Sequence, residues 1–159
     1  MFSATMPAQI RRISQKYLTD ALEITVERKT TTAPNITQRH LFVSYPQKVE
    51  ALTRILEVEN FEAMIVFVRT KMGADRVADE LREQGVMAAA LHGGLNQGQR
   101  NRVLSAFKDG RVPVLVATDV AARGIHVDEV GVVLQVDPPA DHKDYLHRAG
   151  RTARAGEKG

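Results

Sequence analysis

Met64-Ile65-Val66-Phe67-Val68 is an unbroken apolar run that passes directly into Arg69-Thr70. A strand with one face in water alternates apolar and polar side chains, whereas a strand covered on both faces is apolar throughout. Val112–Ala117 and Val130–Val136 repeat the pattern, and Val86–Leu91 and Arg39–Tyr45 also read as strands. Between these runs, apolar residues recur at helical steps. Gln47–Glu57 buries Val49, Leu52 and Leu56; Ala74–Gln84 buries Val77, Ala78 and Leu81 and ends at Gly85. Gln97–Lys108 carries Val103, Leu104 and Phe107 and stops at Gly110, and Ala140–Arg148 reads as a further helix. Fully apolar strands alternating with amphipathic helices predict an α/β fold, a parallel sheet with helices on both faces in three α/β/α layers.

Such sheets bind ligands beyond the carboxyl ends of their strands. The residues expected there are Arg69-Thr70, His92-Gly93-Gly94 and Thr118-Asp119, so a cation, a glycine pair and a hydroxyl gather on one rim. A helix starting near Asn96 turns free backbone N–H groups towards the same rim, a ready anion site. A second basic feature follows the last strand. His147, Arg148, Arg151 and Arg154 fall within eight residues, with no acidic residue between Tyr145 and Gly156. If the helix runs on through Arg154, then His147, Arg151 and Arg154 share one face. In isolation such a run reads as a solvated surface. Several guanidiniums aimed one way suit a polyphosphate.

Composition narrows the alternatives. The 159 residues are 43% apolar and 26% charged with a formal net charge of +3, an ordinary soluble balance. With no cysteine, disulfides and thiolate metal sites are excluded, which fits a reducing compartment. No apolar run reaches the length of a membrane span, and Met1-Phe2-Ser3-Ala4-Thr5 is no signal peptide, so a soluble, cytoplasmic protein is expected. Pro7–Leu18 reads as a short amphipathic helix, and the polar, Thr-rich stretch around Pro34 as a linker, dividing the chain into 1–33 and 34–159. No metal site is expected, because His92 and His147 lack partners at ligand spacing. Asp119 ends an apolar strand, yet without a phosphate-cradling loop in the chain it reads as a cap or turn residue.

Six segments taken in order change the weight of these signals. Ser3-Ala4-Thr5, Ile65-Val66-Phe67-Val68-Arg69-Thr70, His92-Gly93, Gln97-x-x-Arg100, Ala117–Ile125 and His147-Arg148-x-Gly150-Arg151-x-x-Arg154 resemble successive motifs of the DEAD-box RNA helicases. The resemblance covers essentially the whole chain and implies a RecA-like fold of the P-loop NTPase type. Residues 1–33 would then be the end of a first RecA-like domain with the interdomain linker. Residues 34–159 would be the second, truncated before its last elements.

In that family two such domains close around ATP and RNA. The resemblance implies that Arg151 and Arg154 are catalytic arginine fingers on the γ-phosphate, with Gly124 and His126 also at the nucleotide. Arg69, Thr70, Gly93, Gly94, Gln97, Arg100, Thr118 and Arg123 would lie at or support the RNA backbone, read without sequence preference. His147 would meet the Ser3/Thr5 segment and couple the domains. The implied cofactor is ATP with Mg²⁺, held mainly by the first domain, so the chain alone is expected to be inactive. Three positions depart from the family pattern: His126 and Gly94 each stand where Asp is usual, and Ala153 where Gly is frequent. His126 accepts a hydrogen bond only when neutral, so weakened or pH-dependent nucleotide coupling is expected. Two other readings are a non-catalytic nucleic-acid-binding module and part of a related DNA helicase or translocase.

Overall fold

A computed structural model describes residues 36–123 and 130–152. After a 3₁₀ turn at Tyr45–Gln47 come α1 (Lys48–Val58), β1 (Met64–Phe67), α2 (Lys71–Glu83), β2 (Ala88–Leu91) and α3 (Gln97–Lys108). They are followed by β3 (Val114–Ala117), the short α4 (Asp119–Ala122), β4 (Val132–Gln135) and α5 (His142–Ala149). The four strands are parallel and lie in the order β2-β3-β1-β4, with Met64 opposite both Val114 and Val132, and Ala88 opposite Val114.

Every residue of β1 and β3, the two central strands, is buried. Successive side chains face opposite ways. Met64, Val66 and Val68 pack with Leu52, Ala74, Val77 and Leu81 of α1 and α2. Ile65, Phe67, Leu115 and Ala117 pack with Phe107 of α3 and Ala121 and Ala122 of α4. Both faces are therefore covered, which is why these runs are apolar without alternation. The three-layer architecture expected from the sequence is the one observed.

Local chemistry sets the helix ends. Thr70 caps α2 by accepting from the Gly73 N–H at 3.0 Å, four residues before the apolar repeat begins at Ala74. Asn96 and Gln99 form a reciprocal capping box at the start of α3, with bonds of 2.8 and 2.9 Å. Gly85 and Gly110, which follow α2 and α3, take φ of +85° and +78°, a region that favours glycine.

One expectation fails. Arg39–Tyr45 pairs with no strand among the described residues, and Leu41, Phe42 and Tyr45 are exposed. Strand propensity reports fit to a pleated, half-buried surface, and none is offered here. The helix expected over Ala140–Arg148 is found, and the condition that it run on through Arg154 is not met. It ends at Ala149, where the Gly150 N–H closes the last turn on Leu146 O at 2.8 Å. Thr152 then forms a parallel bridge with Val130, which takes the chain out of helical geometry. His147 and Arg151 therefore do not share a continuous helical face, and Arg154 lies outside the described residues. Among the described residues no helix is long and apolar enough to cross a membrane.

Candidate nucleic-acid interface

Because all four strands run one way, their carboxyl ends form a single rim. From one edge to the other it carries His92-Gly93-Gly94 after β2, Thr118 after β3, Arg69-Thr70 after β1 and Asp137 after β4. Thr118 is buried, and its N–H reaches Leu91 O at 3.3 Å. The Arg69 N–H donates to Asp137 Oδ2 at 2.8 Å, which fixes the backbone while the residue stays exposed.

His92 is buried and held from both ring nitrogens. Nδ1 accepts the Gly94 N–H at 3.0 Å, and Nε2 lies 2.8 Å from Asp75 Oδ1. An accepting Nδ1 leaves Nε2–H as the donor of the neutral ring, so the geometry suits one tautomer. The ring thereby pins the Gly93-Gly94 turn. A Cβ on Gly94 would come within 3.0 Å of two ring atoms, so the glycine found in place of the family Asp fits a tight turn. Gln97, bonded to Asn101 at 2.9 Å, and Arg100 stand on the first turn of α3 beside it.

The basic cluster divides. Arg148 points inward and is only 2% exposed. Its Nε and Nη2 grip Asp119 Oδ1 and Oδ2 at 2.6 and 2.7 Å. Its Nη1 donates to Asp137 O at 2.6 Å and Gln135 Oε1 at 3.2 Å, and the guanidinium lies 5.2 Å from the Phe67 ring centre. The bonds from Arg148 hold the Asp119 carboxyl below the usual carboxylate range, against the opposing effect of burial. Burial would also raise Asp137, but the Arg69 N–H and the Lys48 ammonium outweigh it and its carboxyl too is lowered.

His147 is exposed and Arg151 half-buried. With Asp119, Arg123, Asp144 and Arg148 they line a shallow pocket of about 10 Å³, room for one water and far too small for a nucleotide. Arg123 is paired with Asp144 at 2.7 Å. Among the described residues no group of three or more His, Asp and Glu is arranged to hold a metal ion.

Residues 47–156 match the helicase conserved C-terminal domain family, well over half of the chain. The chain belongs to that family. Its relatives place it among the DEAD-box helicases. It is 52% identical over 152 residues to the ATP-dependent RNA helicase DeaD of Mycobacterium tuberculosis, covering 96% of this chain and 27% of that protein. It is 46% identical to the DEAD-box ATP-dependent RNA helicase CshA of Bacillus anthracis, over 100% of this chain and 30% of that protein. The E. coli DEAD-box protein SrmB superposes with a TM-score of 0.68 at 45% identity, over 72% of this chain and 67% of that one. Dbp5 of S. cerevisiae, bound to RNA and ADP BeF3, superposes with a TM-score of 0.82 at 34% identity, over 99% of this chain and 42% of that one. The chain spans under a third of the length of these curated relatives.

In this DEAD-box helicase domain, the structure brings Arg69, Thr70, Gly93, Gly94 and Thr118 onto one rim. Gln97 and Arg100 adjoin it, and Arg123 follows α4 beside α5. Gly124, His126, Arg154, Ser3 and Thr5 lie outside the described residues. Sequence reasoning missed the Arg148–Asp119 pair, the Asp137 clasp and the Asp75–His92 bond. In the sequence Asp119 reads as a cap or turn residue, and it does open α4, but its side chain pairs with Arg148. The partners are separated by 29, 68 and 17 residues, and no local periodicity links such positions. The available signal was an acid directly after an apolar strand.

Proposed function

We propose that the chain is the C-terminal RecA-like half of an ATP-dependent RNA helicase core. Residues 34–159 form that domain and residues 1–33 the end of a first RecA-like domain with its linker. The rim holds the backbone of RNA through Arg69, Thr70, Gly93, Gly94, Gln97, Arg100, Thr118 and Arg123. Contacts of that type read phosphate and sugar, so binding is sequence-independent and weakens with salt. His147 and the Ser3/Thr5 segment serve to couple the two domains.

ATP with Mg²⁺, held mainly by the first domain, supplies the phosphoryl group whose hydrolysis drives duplex unwinding. Arg151 and Arg154 meet the charge that develops on that group, and Gly124 and His126 contact the nucleotide. Preorganised guanidiniums in such positions contribute about 10³–10⁵ in rate. The observation that carries this reading is the Arg148 clamp. One buried side chain ties α5, next to Arg151, to Asp119, which directly follows Thr118 on the rim. The yeast neighbour is bound to RNA, which favours RNA over DNA as the ligand. A chain without cysteine suits a reducing compartment, and we infer action in the cytoplasm.

The test is RNA-stimulated ATP hydrolysis by the full-length protein carrying this chain. Arg151→Ala is expected to lower turnover about 10³-fold or more while RNA affinity holds. Unchanged turnover would overturn the assignment of Arg151. Hydrolysis that RNA does not stimulate in the wild type would overturn the helicase reading itself.

A further inference from the structure

Two ion pairs join α4 to α5, and they run in opposite senses. Asp119 opens α4 and Arg123 caps its end, four residues on; Asp144 and Arg148 stand four residues apart on α5. The four residues cross-pair, Asp119 with Arg148 at 2.6 Å and Arg123 with Asp144 at 2.7 Å. Carboxylate and guanidinium thus change helices from one pair to the other. The pairs differ in access. Arg148 is sealed inside, whereas the Arg123 side chain is 58% exposed and bonded to an Asp144 side chain that is only 14% exposed. The inner pair is the clamp; the outer pair is within reach of a solute.

An ion pair with an exposed partner adds little to stability, so the outer pair is not what holds α5 in place. Its effect on Arg123 is larger. Nη2 is bonded to Asp144 Oδ1, and a second carboxylate acts on the same guanidinium: the Asp119 carboxyl, lowered first by Arg148, is lowered also by the charge of Arg123. A guanidinium shared between two carboxylates presents little net charge to a phosphate. Asp144 in turn is mostly buried, and its ion-pair partner among the described residues is Arg123. An anion that takes Arg123 must therefore strand this carboxylate or bind against its repulsion.

We propose that Asp144 is an autoinhibitory carboxylate, which holds Arg123 in an intramolecular ion pair that a phosphate of single-stranded RNA must displace before Arg123 engages the strand. This rests on the RNA-binding reading of Arg123 above. The exchange keeps Arg123 neutralised in the free domain and makes its engagement conditional on bound RNA. Asp144→Asn keeps the shape of the side chain and the backbone bond from the Asp144 N–H to Asp141 Oδ1 at the start of α5, and it removes the competing charge.

The measurement is the affinity of the full-length protein for single-stranded RNA, with a non-hydrolysable ATP analogue, as a function of salt. Freeing one cation for a phosphate of a single strand steepens the slope of log K against log salt by about 0.7, which is about fivefold in affinity at 0.1 M salt. Asp144→Asn is expected to bind tighter by about that factor with the steeper slope, and Asp144→Glu to stay near wild type. In an Arg123→Gln background the same Asp144→Asn change should bring no gain. A contact that served only to support α5 would weaken binding when lost. Unchanged or weaker binding by folded Asp144→Asn, or an equal gain in the Arg123→Gln background, overturns the proposal. Asp144→Ser carries the same expectation and takes the place of the asparagine variant should that one not fold. An Arg123→Gln protein that binds RNA as the wild type does overturns instead the RNA assignment of Arg123, so the two failures are distinguishable.

Discussion

Replacing Arg148 by Met keeps much of the buried stem and removes the guanidinium. That leaves the Asp119 carboxylate without its two bonds of 2.6 and 2.7 Å, and Asp137 O without one of 2.6 Å. Breaking a buried pair by removing one partner costs about 3–5 kcal/mol. The Asp119 side chain is 27% exposed, so water recovers part of its solvation, and the low end of that range applies. The expected loss is therefore about 3 kcal/mol, a large share of the roughly 5–15 kcal/mol of a typical domain. Asp119→Asn should cost a similar amount, because it leaves a buried guanidinium facing a neutral amide. The double variant should lose less than the sum by about 2 kcal/mol, as the second change removes the charge the first left stranded. Urea unfolding at neutral pH of the wild type, both single variants and the double variant measures all three quantities. A loss under about 1 kcal/mol for Arg148→Met, or strictly additive losses, would refute the claim that this arginine clamps α5 to the rim.

Two further outcomes follow from the same geometry. Asp119 and Asp137 have folded pKa values below their unfolded ones, so their contribution is fully present above the unfolded carboxylate value of about 4 and is lost as pH falls through the folded values. Urea midpoints measured from pH 7 to pH 3 should drop below about pH 4, and Asp137→Asn should flatten that drop; an identical profile in the variant contradicts the clasp. Asn96→Ala removes the acceptor of the 2.8 Å bond from the Gln99 N–H and should cost about 1 kcal/mol, with Asn96→Asp close to wild type. A midpoint insensitive to Asn96→Ala would show that α3 does not depend on its cap.

Local pattern carried much of the fold. Gln97–Lys108 reads as a helix from Asn96 at its start, Val103, Leu104 and Phe107 along one stripe, and Gly110 beyond its end, and α3 spans those residues. Met64–Val68 reads as a doubly covered strand because nothing in it tolerates water, and all five residues are buried. The same logic placed Arg69, Gly93 and Thr118 together, since parallel strands must end on one side. Where the pattern misled, the missing information was non-local. Arg39–Tyr45 has strand-forming residues without a neighbouring strand among the described residues, and Arg148 carries a charge that conventional patterning assigns to the surface.

By itself the sequence determined the α/β architecture, the order of its elements and the rim where Arg69, Gly93 and Thr118 gather. These follow from periodicity and from the common direction of parallel strands, both properties of short segments. Only the tertiary structure decided which cation of the His147–Arg151 run turns inward, where α5 stops and which carboxylates hold the rim. The physical reason is that burying a guanidinium requires partners for its N–H groups. Arg148 finds them in Asp119, Gln135 and Asp137, side chains and backbone brought together by the sheet and by no spacing along the chain.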